Sequence, residues 1–344
     1  MVACVGALPN PPADLVALAE AVRDATALPA LADCGPGEAL RSVSARKRRQ
    51  LPALIALSSA MAEGADRIVD IGAGSGHFTR LAAARFDRKA LGIERDPARV
   101  EAAERAAGSS GAHFVTMDAV RTSLRLEPRD LAVGLHACGE LGDRLVGAAA
   151  EAGCDVTLVS CCPQKIGTDV RRPVSRTGAA LVLRRDVLGL ANLTQQPVGI
   201  EAPLEAMLAA REVRLALYRL LRERGIEVTL GEAMRGINRR RARTGLRSVA
   251  TAALALRGLP PPTEGEIRHH ESETRRHNAA VRRLSLPRNM LARLLEVAIV
   301  LDRGAALEES GHEVLVATIF TPDISPRNLA IFATRCRDRL PRVA

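Results

Sequence analysis

The run Ile68-Val69-Asp70-Ile71-Gly72-Ala73-Gly74-Ser75-Gly76 decides how the rest of the chain is read. Apolar and β-branched residues lead into three glycines two positions apart, and a helical pattern opens directly behind them. The order predicted is strand, tight turn, helix. Glycine lets the backbone turn sharply and approach a ligand, while the first N–H groups of a helix attract electron-rich groups. Outward from this stretch, strands are predicted at 67 to 71, 89 to 94, 112 to 116, 130 to 136 and 155 to 160, alternating with helices at 76 to 86, 96 to 107 and 140 to 152. Such alternation argues for a parallel, doubly wound α/β sheet. A helix at about 288 to 309 follows much later, then apolar runs at 313 to 320 and 328 to 334 joined by Thr321 to Arg327. That join is too short for a crossover helix, so the last pair is expected to be antiparallel.

A three-glycine turn by itself is shared by several nucleotide-binding folds. Three acids narrow it. Glu94 ends the second strand, where a carboxylate can accept hydrogen bonds from both ribose hydroxyls. Asp118 follows the third strand and suits an adenine amino group, and Asp70 stands before the glycines, where dinucleotide sites usually lack an acid. Asp70, Glu94 and Asp118 with Gly72, Gly74 and Gly76 therefore read as a site for S-adenosylmethionine. A parallel sheet closing on an antiparallel strand is the class I methyltransferase variant of the Rossmann-like plan.

The chain of 344 residues divides into an N-terminal helical segment, 1–65, a core of 66–162 with 287–335, and an insert of 163–286 between them. The N-terminal helices are predicted at 14 to 27 and 38 to 63. Net charge is +10, and it is segregated: the insert holds 23 Lys and Arg against 12 acids, a net of +11, which leaves −1 elsewhere. The insert is mostly helical, with stretches near 203 to 224 and 264 to 283, a Pro-rich break at Leu259 to Pro262, and the cluster Arg235 to Arg247. Excess positive charge suggests an acidic partner, and we expect RNA, bound in part by Arg239, Arg240 and Arg241. Aromatics are 2% of the chain, with Tyr218 the single tyrosine and no tryptophan, so base stacking has little to work with and arginine would dominate. No apolar run approaches the roughly 18 residues of a membrane helix, Met1 to Leu15 lacks a basic stretch leading into an apolar one, and no membrane partner is expected. Seven cysteines, odd and irregularly spaced, read as reduced thiols of a cytoplasmic protein.

Strand four ends in Leu135-His136-Ala137-Cys138-Gly139-Glu140-Leu141 and strand five in Val159-Ser160-Cys161-Cys162-Pro163-Gln164-Lys165. Substrates of open α/β sheets bind outside the carboxyl ends of the strands, so His136, Cys138, Cys161 and Cys162 are expected near the transferred methyl group. His136 is a candidate general base, and the cysteines are candidate substrate contacts. Zinc binding is an open alternative because Cys and His suit that ion, although adjacent cysteines rarely chelate one ion and no Cys-x-x-Cys pair is present; we assign no metal. Packing alone is the third reading. Arg327 and Asn328, in the last connection, are expected to reach the same cleft, Asn328 in a catalytic role and Arg327 on the substrate; simple turn capping by Asn328 is the alternative.

At this point the residues resemble methyltransferase-like family twenty-five, including its branch named for a ribosomal RNA adenine dimethylase domain. The likeness rests on Val69 to Gly76, Gly134 to Leu141, Cys161-Cys162, Leu294-Leu295-Glu296, Val300-Leu301-Asp302-Arg303 and Ser325-Pro326-Arg327-Asn328-Leu329. It implies a class I methyltransferase fold with S-adenosylmethionine as cofactor. The paired cysteines are also distantly similar to a transfer RNA ribose methyltransferase. Adenine N6 methylases place Asn or Asp, then Pro-Pro and an aromatic, after strand four; His136-Ala137-Cys138-Gly139 stands there instead, which argues against adenine dimethylation. The expected function is methylation of RNA, the acceptor lying between the strand-four and strand-five edge and the basic insert. A protein or small-molecule acceptor, or a non-catalytic protein that binds S-adenosylmethionine and RNA, are the alternatives.

Overall fold

The computed structural model describes residues 10–31, 45–194, 204–321, 324–325 and 327–343. The chain forms two compact units, Met1–Val198 with Arg288–Ala344, and Gly199–Pro287. The first begins with helices α1 (Ala13–Ala25), α2 (Ala45–Leu57) and α3 (Ser59–Glu63); residues 38–44 of the second predicted helix lie outside the described residues. There follow β1 (Arg67–Ile71), α4 (His77–Phe86), β2 (Lys89–Glu94), α5 (Pro97–Ala107), β3 (Ala112–Thr116), β4 (Asp130–Cys138), α6 (Glu140–Ala152) and β5 (Asp155–Cys161). A two-residue-strand hairpin, β6 (Val170–Arg171) and β7 (Leu183–Arg184), comes next.

The seven-stranded sheet is completed after the second unit and runs β3-β2-β1-β4-β5-β9-β8, with β8 (Glu313–Thr318) and β9 (Leu329–Thr334). Neighbours from β3 to β5 are parallel, and β9 is antiparallel to both β5 and β8. This is the Rossmann-like class I methyltransferase architecture read from the sequence. Every residue of β5 is buried, as befits a parallel strand covered on both faces. One face packs Leu51, Leu54, Met61 and Phe78 against Ile68, Leu131 and Phe332. The other packs Leu145, Val146, Val297 and Val300 against Val69, Ile71 and Leu158. Each such side chain, fully buried, contributes about 1.5–3 kcal/mol.

A buried ionic network ties the sheet to distant parts of the chain. Arg303, from α10 (Ser285–Glu309), is 1% exposed. It donates to Asp143 Oδ1 at 2.8 Å, Ser160 Oγ at 2.7 Å and the Gly139 carbonyl at 2.6 Å. Arg171 donates to both oxygens of Asp143 and, at 2.7 Å, to Asp302. Asp302 also accepts from the amides of Val174 and Ser175 and from the Ser175 hydroxyl. Burial alone would push the Asp143 carboxyl up, but the charges of Arg303 and Arg171 hold it below the usual carboxylate range. The network divides the expected 163–286 insert: residues 163–198, anchored through Arg171, belong with the first unit, and the separate unit is 199–287.

That second unit is helical. Its core joins α7 (Leu204–Glu223), α8 (Leu246–Ala255) and α9 (Glu264–Arg283) through Leu217, Leu220, Leu246, Val249, Leu254 and Ile267. Thr263 and Glu266 cap α9 reciprocally: the Thr263 amide donates to Glu266 Oε2 at 2.7 Å, and the Glu266 amide to Thr263 Oγ1 at 3.3 Å. This is a capping box directly after the Pro-rich break. Residues 199–287 carry 17 Arg against ten acids, and the remaining positive charge of the insert lies in 163–198. Among the described residues, no helix is long and apolar enough to cross a membrane.

Removing one member of a buried ionic network leaves its partner charged and unpaired, at about 3–5 kcal/mol. Arg171→Ala is therefore expected to lower stability by about that amount, read from the urea midpoint of the full chain. A shift under about 1 kcal/mol, as for an exposed pair, would show the network to be dispensable.

Candidate active site

Strands β1, β2 and β3 are parallel and in register, Asp70 opposite Gly92 and Glu94 opposite Thr116, so their carboxyl ends share one edge of the sheet. Gly72, Gly74 and Gly76 have φ of +83°, +61° and +67°, the left-handed region open to glycine. A Cβ on Gly74 would stand clear, its nearest neighbour 4.0 Å away, so the turn has free space on the side where a ligand approaches. Gly76 caps α4, and a Cβ there would strike the Phe114 ring at 2.3 Å.

Glu94 is bound to this turn. Gly74 N–H donates to Oε2 at 2.9 Å, and the amides of Arg95 and Asp96 donate to Oε1 at 3.0 and 3.1 Å. A carboxylate has about four acceptor sites, so three amide bonds fix its orientation and leave capacity for a hydroxyl. Asp70 is buried, and Thr79 Oγ1 of α4 donates to its Oδ2 at 2.6 Å. Burial pushes its carboxyl up to about 6, against the opposing pull of the Thr79 hydrogen bond and the charge of Lys47. Asp118 lies beyond β3, its Oδ1 accepting from the Val120 amide at 3.0 Å. The loop it begins, Ala119 to Leu124, forms one wall of a cavity of about 990 Å³; α6 and residues 166–174 form the rest.

At the ends of β4 and β5 the regular register breaks. Leu135 pairs with Val159 but Ala137 with Ser160, so His136 is an extra residue in β4, and its φ is +66°. Its Nε2 lies 3.3 Å from Gln50 Oε1, within hydrogen-bonding distance. Gln50 is buried, and its amide nitrogen has no partner among the described residues. Cys138 and Cys161 both donate to the His136 carbonyl, at 3.3 and 3.1 Å, and their sulfurs are 2.9 Å apart. Hydrogen bonds from Cys138 and Cys161 pull the Cys162 thiol far below its ordinary range, aided by Lys165 and Arg327, while those with Cys138 and Cys162 push Cys161 up.

The remaining predicted residues are placed differently. Asn328 is buried; its Nδ2 donates to the Phe320 carbonyl at 2.9 Å and its Oδ1 accepts from Arg293 at 3.3 Å. Arg327 is also buried and donates to the Ala191 carbonyl at 2.7 Å and Glu296 at 3.1 Å. Both hold the last connection to its surroundings; Pro322, Asp323 and Pro326 of that turn lie outside the described residues. Arg240 and Arg241 are exposed on the short 3-10 helix Arg239–Thr244 of the second unit, capped by Asn238, which accepts from the Arg240 amide at 2.9 Å. The Arg239 side chain lies outside the described residues. Sequence reading missed Gln50, Thr79 and Lys47. Thr79 sits in the first turn of α4 and carries no motif; Lys47 lies within the basic run Arg46 to Arg49 of α2, and Gln50 directly follows it.

Residues 46–169 match the family model Methyltransf_32, described as a methyltransferase domain. Among solved structures, the chain is similar to an RNA methyltransferase from Salinibacter ruber bound to S-adenosylhomocysteine: 18% identity, 36% of this chain and 82% of that one, TM-score 0.28. It is similar to a TehB-like S-adenosylmethionine-dependent methyltransferase from Corynebacterium glutamicum at 19% identity over 33% and 68% of the two chains, TM-score 0.27. A third, from Thiobacillus denitrificans, matches at 22% identity over 31% and 47%, TM-score 0.27. Likenesses this slight do not bear on the acceptor. Sheet order, glycine turn and domain match make the first unit a class I, S-adenosylmethionine-dependent methyltransferase.

The Asp70 environment sets a pH dependence. An acid whose folded pKa is raised contributes stability that is full below its unfolded pKa and lost as pH rises through the folded value. A rise from 3.8 to about 6 corresponds to about 3 kcal/mol. Asp70→Asn keeps an acceptor for Thr79 without the buried charge, so it is expected to be more stable than wild type at pH 8 by up to about 3 kcal/mol, with the gain disappearing near the unfolded pKa. Urea unfolding at both pH values checks this; a variant no more stable at pH 8 would contradict it.

Proposed function

We propose that this chain methylates RNA and belongs with methyltransferase-like family twenty-five. The donor half of the reading is carried by the three carboxylates at one sheet edge beside a left-handed glycine turn. S-adenosylmethionine supplies an electrophilic methyl group on a sulfonium. Glu94, held by the Gly74 amide, would accept from a ribose hydroxyl, Asp118 from the adenine amino group, and Asp70 would face the methionine end directly or through water. Asp70 is a buried carboxyl that accepts from the Thr79 hydroxyl, and a ligand that brings positive charge would favour its anion.

On the acceptor side, His136 and the amide nitrogen of Gln50 would orient the nucleophile. A buried, unbonded amide costs about 1–3 kcal/mol, which an acceptor hydroxyl or carbonyl would recover. Histidine is a residue type that serves as a general base, although methyl transfer also proceeds when a competent nucleophile is simply positioned. The 17 arginines against ten acids of the second unit carry the RNA half, since phosphate is the natural partner of many guanidinium groups. Scarcity of aromatic residues favours a protein or small molecule instead, as the second reading.

Three measurements decide. Glu94→Ala and Asp70→Ala are each expected to weaken S-adenosylhomocysteine binding at least about tenfold in calorimetry, equivalent to the loss of one charge-assisted hydrogen bond; unchanged affinity in both removes the donor assignment. With labelled donor, methyl groups should enter the RNA fraction of a cell extract ahead of protein and metabolites. Reversing charge at Arg239, Arg240 and Arg241 should reduce RNA affinity and flatten the log–log salt slope by about two units, leaving donor binding intact. A wild-type slope in that variant, or label confined to protein, points to the second reading.

A further inference from the structure

We propose that Cys138, Cys161 and Cys162 form a three-thiolate site for a soft divalent metal ion, with zinc as the ion to test. The three sulfurs lie within 4.8 Å of one another. Zinc–sulfur bonds of about 2.3 Å at tetrahedral angles put thiolates about 3.8 Å apart, a spacing inside the 4.8 Å limit of the cluster that requires Cys138 and Cys161 to part from 2.9 Å.

The backbone explains how this cluster arises. Side chains of consecutive strand residues point to opposite faces, the usual reason that adjacent cysteines do not share an ion. Cys162 escapes that rule because its φ is +40°, which turns its sulfur back towards Cys161. Across the sheet, an unbroken register would set Ala137 opposite Cys161. The extra residue at His136, itself left-handed, shifts the pairing so that Cys138 faces Cys161 instead. Left-handed non-glycine residues cost of order 1–3 kcal/mol each and persist where their surroundings fix them, often at working sites. Both of these at the β4–β5 edge serve the same outcome, three convergent sulfurs.

Charge fits as well. Three thiolates and a divalent ion sum to −1, and Lys165 Nζ lies 3.7 Å from Cys138 Sγ. Binding would release the thiol protons to water, without redox change. No fourth His, Cys, Asp or Glu joins the cluster among the described residues, and the His136 ring faces Gln50. One coordination place of a tetrahedral ion is therefore not filled from this cluster, as in an open rather than a closed zinc site. The site stands on the thiols alone and does not depend on RNA being the acceptor.

The test titrates the reduced full-length protein with cobalt(II), then zinc(II), following thiolate-to-cobalt charge-transfer absorption and metal content after gel filtration. One equivalent is expected, with zinc displacing cobalt and the absorption lost. Cys138→Ala and Cys162→Ala should each weaken binding by more than about a hundredfold, since losing even an outer-shell partner reaches 10–100-fold; the exposed Cys336→Ser should bind as wild type. Circular dichroism reports folding, and if Cys138→Ala does not fold, the half-buried Cys162→Ala decides. Three results overturn the proposal: no charge-transfer band at excess cobalt, wild-type binding in the folded variants, or a Cys138–Cys161 disulfide in the isolated protein whose reduction restores no metal affinity. S-adenosylhomocysteine affinity in the same samples separates failure of the metal site from failure of the donor site.

Discussion

The guanidinium of Arg303 is the constraint around which the acceptor edge is organised. Its three bonds end on Asp143, Ser160 and the Gly139 carbonyl, so one side chain spans the start of α6, the end of β5 and a helix nearly 150 residues further along. Gly142 is part of the arrangement: a Cβ there would lie 2.8 Å from the guanidinium. Buried ions of this kind contribute less to net stability than apolar packing would, because desolvation offsets their attraction. What they do here is fix positions. With Arg303 and Arg171 both on Asp143, the residues following β5 can lie against the core in one way, and the strand ends that carry His136 and the thiols are held with them.

Against that frame, the donor edge keeps several features that a chain selected for stability alone would lose. Asp70 is a buried acid, the Gln50 amide nitrogen has no partner among the described residues, and two non-glycine residues are left-handed at neighbouring strand ends. Departures from local rules are expected to gather where function needs them. All of these stand at the β1, β4 and β5 ends or on the helix that covers them, whereas β8 and β9 pair without interruption.

Most of the architecture was legible because hydrophobic periodicity is local. The strands from 67 to 71 through 155 to 161 and the antiparallel final pair agree with the pattern to within two residues, and the carboxylates of the donor site sit on the edge that their places in those strands imply. What escaped depends on contacts across the chain. The extra residue in β4 is defined only by its register against β5. Arg327 and Asn328 read as cleft residues because the last connection lies on the same edge of the sheet as the donor site; in the fold their side chains are buried and bonded to Ala191, Glu296 and Phe320. The helix Leu246–Ala255 was hidden by the arginines before it, whose charge outweighed the apolar face formed by Leu246, Val249, Ala250 and Ala253. Residues 163–198 go with the first unit, to which Arg171 bonds through Asp143 and Asp302, contacts that no local pattern announces.

One aromatic ring has a consequence for how such a site can vary between relatives. Phe114, from β3, lies under the glycine turn, and Cβ atoms at Gly76 and Gly92 would each meet it at 2.3 Å. Gly76 is held by its backbone as well, but Gly92 is an ordinary extended residue in β2, so steric exclusion by the ring and by Ala73 at 3.0 Å is what keeps a side chain away. Positions 92 and 114 therefore share a single volume. Lineages in which 92 has grown to alanine or serine should have contracted at 114, to leucine or smaller, making the two sites a covarying pair whose signal reports the floor of the cofactor turn and not contact with the cofactor.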